Sequence, residues 1–196
     1  MRTTVKNKIY FLCGLSVVAG LATTTYLLHR AALMNEESAT FTRGQIQKLN
    51  NARLVQVTFK KQVQSWKDIL VRGSDPQNLQ KYRDEFFKYE ADVRSHSADL
   101  QKRLVVEENR DILSKFLEAH QELGNQYRAA LSDFGASRGI DFKAADQSME
   151  GKDRAPTDLV DLLVDKLNAT AEKSIDQRTE ELATQRIVLL VIGCVV

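Results

Sequence analysis

Residues 49–70 read LNNARLVQVTFKKQVQSWKDIL, and within them Leu49, Ala52, Gln56, Phe59, Val63, Trp66 and Leu70 recur at alternating spacings of three and four. That period places them along one stripe of a helix, the pattern of a helical-bundle seam rather than of a strand. The stripe stops at Arg72-Gly73-Ser74-Asp75-Pro76. Gly suits the end of one helix, Asp the cap of the next and Pro its first turn, so a hairpin between helices is expected here.

Outward from this turn the same period continues. Leu79, Tyr82, Phe86, Tyr89, Val93, His96 and Leu100 form a second stripe. After a turn near Val105 to Asn109, Ile112, Phe116, Ala119, Leu123, Gln126 and Ala130 form a third. Gly135 to Gly139 breaks that helix. Val160, Leu163 and Leu167 open a fourth stripe, which turns polar at Thr170, Ser174, Gln177 and Glu181. Pro156 should kink or interrupt this last helix near Gly151. At helical rise, 29–72 spans about 66 Å, the second and third helices about 45 Å each, and 140–186 about 70 Å. The expected fold is all-α, an up-down-up-down four-helix bundle whose long first and fourth helices continue into membrane helices. Its lowest third would hold helices one and four alone, which calls for a second copy of the chain and a homodimer.

The ends carry the membrane signal. Ile9 to Leu28, IYFLCGLSVVAGLATTTYLL, is free of charge and at about 20 residues matches the roughly 30 Å hydrocarbon core. Arg2, Lys6 and Lys8 precede it without an acid, while Arg30 and then Glu36 and Glu37 follow, so the positive-inside rule puts the N-terminus in the cytoplasm. A cleaved signal peptide competes, with Gly20-Leu21-Ala22 as cleavage site, but the apolar run continues beyond Ala22 to Leu28. At the other end Ile187 to Val196, IVLLVIGCVV, reads as the start of a second membrane helix, with the buried tail of a soluble helix as the alternative. The expected segments are a cytoplasmic N-terminus at 1–8, a membrane helix at 9–28, a periplasmic bundle at 29–186 and a truncated second membrane helix at 187–196.

Composition narrows the function classes. Two Pro and nine Gly leave room for long helices, and 28 Lys plus Arg against 26 Asp plus Glu give a net charge of +2, too weak a field to suggest nucleic acid as partner. Cys13 and Cys194 lie in the two apolar ends, at depths that should keep them from pairing, so no disulfide framework or Cys-ligated metal site is expected. His29, His96 and His120 are dispersed, and phosphate loops, nucleophile elbows and zinc helices are missing, so neither catalysis, a metal nor a cofactor is expected. His96 and Trp66 fall on apolar seams, where a core role outweighs sensing or ligand stacking.

The constellation that points to binding is cationic. Counted from the membrane, Pro156 stands at a height of about 46 Å, level with 59–61 and 88–90. Lys60, Lys61, Lys88, Lys152 and Arg154 therefore share a height beside an interrupted helix, and could hold a carboxylate or another small anion. Asp153 and Glu90 nearby favour the alternative of a solvated charged face.

FKKQVQSWKDILVRG at 59–73, followed by a DP turn, and GKDRAPT at 151–157 are similar to runs in the periplasmic sensor region of methyl-accepting chemotaxis proteins of the four-helix-bundle type. The resemblance covers the whole chain. It implies a ligand-sensing input domain in the bacterial inner membrane, responding to a ligand or to a ligand-loaded periplasmic binding protein, and the cationic constellation makes a small anion the expected ligand. Related bundles precede histidine kinases and diguanylate cyclases, and a structural or adaptor bundle without ligand is a further alternative.

Overall fold

The computed structural model describes residues 5–137 and 139–195, apart from the side chains at 190 and 192–195. Arg2, Val196 and the Cys194 side chain therefore lie outside the described residues. Those residues are all-helical, in five helices: α1 Val5–Arg72, α2 Pro76–Gln101, α3 Glu107–Ala136, α4 Phe142–Met149 and α5 Arg154–Val195. The chain divides into a terminal unit, Met1–Gly44 with Glu172–Val196, and a central unit, Gln45–Ala171.

The caps explain where the central helices start and stop. Gly73 N–H returns to the Ile69 carbonyl at 2.7 Å, and the Asp75 carboxylate accepts from the backbone N–H of Gln77 and Asn78, with Pro76 in the first turn. A β-carbon on Gly139 would stand 2.6 Å from the Gly73 carbonyl oxygen, and Gly139 has φ of +74°, so Gly alone fits this close backbone crossing. α4 was not expected as a separate helix. It is capped by Asp141, whose carboxylate accepts from Ala144 N–H, and it ends before Gly151 at φ of +73°. The interruption near Gly151 is thus present with a different cause. Pro156 sits in the first turn of α5, where a missing N–H costs nothing, and Gly151 makes the turn.

In the central unit, side-chain contacts fix the directions of neighbouring helices. Phe59 packs on Phe116 and Trp66 on Tyr127, so α1 and α3 run the same way. Phe86 meets Tyr127 while Glu90 reaches the Gly124 level, so α2 opposes α3. Arg53 bonds Asn168 and Lys60 bonds Asp161, so α5 opposes α1.

The buried stripes lie slightly rotated from those expected. On α1 the core is Ala52, Val55, Phe59, Gln62, Trp66 and Ile69, whereas Gln56 and Val63 are half-buried. On α3 the stripe passes through His120 and Tyr127 instead of Ala119 and Gln126. His96 is half-buried, and Ser97 takes the interior place beside it. Trp66 is a core residue, as expected.

In the terminal unit, α1 is the one described helix long and apolar enough to cross a membrane, with mean hydropathy 1.7 over its best window and none of that window buried. Its hydroxyls suit that setting: Ser16, Thr24 and Thr25 each donate to the carbonyl four residues back, at 2.8–2.9 Å. Arg178 reaches Glu37 at 3.6 Å and Arg186 reaches Asn35 at 2.7 Å.

Candidate functional site

A cavity of about 470 Å³ opens in the central unit where α4 hands over to α5. Its floor is Trp66 of α1 and Tyr127 of α3, with ring centroids 5.0 Å apart. Its walls carry Lys67, Lys143 and Asp146, and the turn supplies Glu150, Gly151 and Asp153. Lys67 and Asp146 neutralise each other at 2.7 Å. Burial pushes the Tyr127 phenol well above its usual range, and the negative charge of Asp153 adds to the effect.

Below this floor lies a layer of polar groups inside the core. His120 is buried, 2.8 Å from Gln62 Oε1, stacked on Phe116 and edge-on to Phe59. Burial lowers its pKa to about 4, against an opposing pull from Glu90, so the ring is neutral near pH 7. Glu90 is itself buried and is held by Arg128 Nη1, which donates to both carboxylate oxygens at 2.8 and 2.9 Å, and by Arg94 at 3.5 Å. A β-carbon on Gly124 would collide with Glu90 Oε1, so this glycine makes room for the carboxylate. In the central unit the buried Gln62 Nε2, Ser97 Oγ and Trp66 Nε1 find no hydrogen-bond partner among the described residues. Each such group costs about 1–3 kcal/mol, a penalty that a bound polar molecule would relieve.

The five cations expected to gather do not line this cavity. Lys60 is engaged with Asp161 at 3.0 Å, while its neighbour Lys61 turns to the Tyr89 ring, 6.0 Å from its centroid. Lys88 and Lys152 are exposed, and Arg154 begins α5 with its side chain over Gly151. Gln62 was not expected at the site, His120 was expected only as one of three dispersed histidines, and Glu90, expected beside a solvated charged face, is instead buried. Spacing held the clue for His120, since it stands four residues after Phe116 and seven before Tyr127 on one helical face.

Among the described residues no group of three or more His, Cys, Asp or Glu is placed to hold a metal ion. The polar layer pairs an imidazole with an amide and a carboxylate with guanidinium groups, an arrangement suited to holding a packing or a ligand.

Over 117 residues, 58% of its length, the chain is 35% identical to the methyl-accepting chemotaxis protein CtpH of Pseudomonas aeruginosa. The chain is related to a methyl-accepting chemotaxis protein. It spans a fifth, 20%, of that relative's length. No protein-family model matches the chain, and no solved structure matches it.

Proposed function

We propose that this chain is the ligand-sensing input region of a transmembrane chemoreceptor, with no catalytic activity of its own. In this reading α1 anchors it in the bacterial inner membrane with the N-terminus in the cytoplasm. Residues 29–186 form a periplasmic up-down-up-down four-helix bundle, and a second membrane helix begins at 187. The observation that carries the proposal is the 35% identity to a methyl-accepting chemotaxis protein. Support comes from the alternating helix directions in the central unit and from the cavity at the α4–α5 turn. The terminal unit has only α1 and α5 to build a core, so a homodimer supplies the missing partners. Ligand binding at the turn would prefer one packing of α5 and pass a small displacement along that helix.

The test is a chimera in which residues 1–196 replace the input region of a receptor whose kinase control is measurable. Ligand-dependent kinase control, together with activity of a periplasm-dependent reporter fused after residue 120, is the expected result. A kinase output indifferent to every small molecule and binding protein tried, or a reporter inactive at 120, would overturn it.

A further inference from the structure

α1 and α5 leave a groove between them in the terminal unit, a cavity of about 350 Å³. Its walls are Leu27, Leu28 and Ala31 of α1 and Leu189 of α5, with Thr24 at one end and Asn35 and Arg186 at the other. Thr24 adds no unmet donor, since its hydroxyl donates to the Gly20 carbonyl at 2.8 Å. At the polar end Arg186 Nη2 donates to Asn35 Oδ1 at 2.7 Å, and among the described residues the guanidinium holds no ion pair. An amide oxygen takes one guanidinium N–H and none of the charge. None of the lining residues is acidic. The acids nearest along the two helices, Glu36, Glu37, Glu180 and Glu181, lie after Asn35 or before Arg186, on the side away from the apolar ends. Arg178 takes Glu37 at 3.6 Å and Glu181 at 3.3 Å. Leu27 and Leu28 close the uncharged run 9–28, and Leu189 belongs to the apolar run 187–196. The groove is therefore apolar where the helices are read as lying in the membrane and cationic where they leave it. That is the order of groups in a phospholipid, acyl chain and then phosphate.

We propose that this groove seats one anionic phospholipid of the surrounding membrane. An acyl chain lies against Leu27, Leu28, Ala31 and Leu189, and a phosphate oxygen accepts from Arg186. The proposal rests on the membrane reading of α1 and α5 above and names a partner for it. A second copy of the chain is the competing occupant, but its membrane helix would bring apolar side chains to the same height and leave the guanidinium without an anion. A lipid seated here joins the two helices at the membrane surface, so the packing of α5 on α1 depends on the composition of the leaflet.

Native mass spectrometry tests this on the full 196-residue chain, released from detergent micelles titrated with phosphatidylglycerol or with phosphatidylcholine of equal chain length. The expected result is one phosphatidylglycerol retained saturably per chain, with phosphatidylcholine held more weakly. Arg186→Gln should weaken retention about tenfold or more, the factor for one lost charged hydrogen bond. Ala31→Phe fills the groove and should weaken it as much with every charge in place. Arg30→Gln is the control and should bind as the parent does, because Arg30 stands at the same depth, about 100° round α1 from Ala31, and does not line the groove. Glycerol 1-phosphate, a headgroup without acyl chains, should not displace the lipid. Equal losses in Arg30→Gln and Arg186→Gln would reduce the effect to surface charge, and displacement by glycerol 1-phosphate would reduce it to a site for free phosphate. A lipid-free dimer that is lost in Ala31→Phe would put a second copy in the groove. Each of these overturns the proposal. A chain that never enters micelles would remove the membrane reading itself, whereas a micelle-bound chain that holds both lipids alike removes this site alone.

Discussion

The two halves of α1 share one backbone and differ in what surrounds them. In the central unit Ala52, Val55, Phe59 and Ile69 are fully buried, enclosed by α2, α3 and α5. In the terminal unit Met34 is the one buried hydrophobic residue among those described, at 8% exposure. Beside it Ser38 and Thr42 are half-buried, and α5 offers Ser174, Ile175, Arg178 and Leu182, also half-buried. The contacts there are polar, as where the half-buried Arg178 reaches the exposed Glu37. At about 25 cal/mol per Å² apolar area fixes a packing, while exposed polar pairs exchange with water at little cost. The central unit is therefore built to hold a shape, and the terminal unit to let two helices slide.

The largest expected effect tests the firm half. Phe116→Ala, deep in the central core, should lower unfolding free energy by about 3–5 kcal/mol, whereas Met34→Ala should cost well under 2 kcal/mol because that site can close around the gap. Chemical denaturation of both variants in detergent checks this, and equal losses would erase the contrast.

Next comes pH. His120 has a pKa of about 4 in the folded chain against 6.5 in the unfolded one, so between those values the unfolded state binds more protons. Stability should fall as pH drops from 6.5 towards 4, by on the order of 3 kcal/mol at full burial. In His120→Phe that component of the pH dependence should vanish, which thermal melts at pH 7 and pH 4.5 would show.

A smaller loss, about 1–3 kcal/mol, is expected for Gly124→Ala, because the new methyl displaces Glu90 from Arg128. Denaturation midpoints compared with Gly135→Ala, where a β-carbon meets open space, isolate the effect. The smallest change sharpens the soft half. Ser38→Leu, Thr42→Leu and Ser174→Leu should each add up to about 1 kcal/mol of stability by burying apolar area. Together they should hold the chimera in one output state, read as kinase activity that no longer responds to ligand.

Much of this layout was legible because helical period and caps act locally. Asp75-Pro76 and Gly73 marked the α1–α2 hairpin, and Val160, Leu163 and Leu167 are buried as their spacing implied. The α1 stripe came out rotated because Val55, Gln56 and Val57 offer an apolar choice on either side, and because a buried Gln62 does not look like core. Burial of Gln62 and Glu90 depends on His120 and Arg128, partners about 58 and 38 residues away along the chain, which no local pattern specifies. That the five cations do not line the cavity has a related reason. Height along a bundle is read from residue counts, but direction around each helix is set by neighbours, and Asp161 drew Lys60 aside. α4 escaped notice because eight residues form barely two turns, too few for a period to declare itself.

Hydrogen exchange of backbone amides along α1 and α5, read in the full chain in lipid, tests the central claim most directly. Amides at 52–69 and 160–167 should exchange only through the global unfolding of the central unit, while those at 34–45 and 174–182 should exchange orders of magnitude faster. Equal protection in the two stretches would contradict the account.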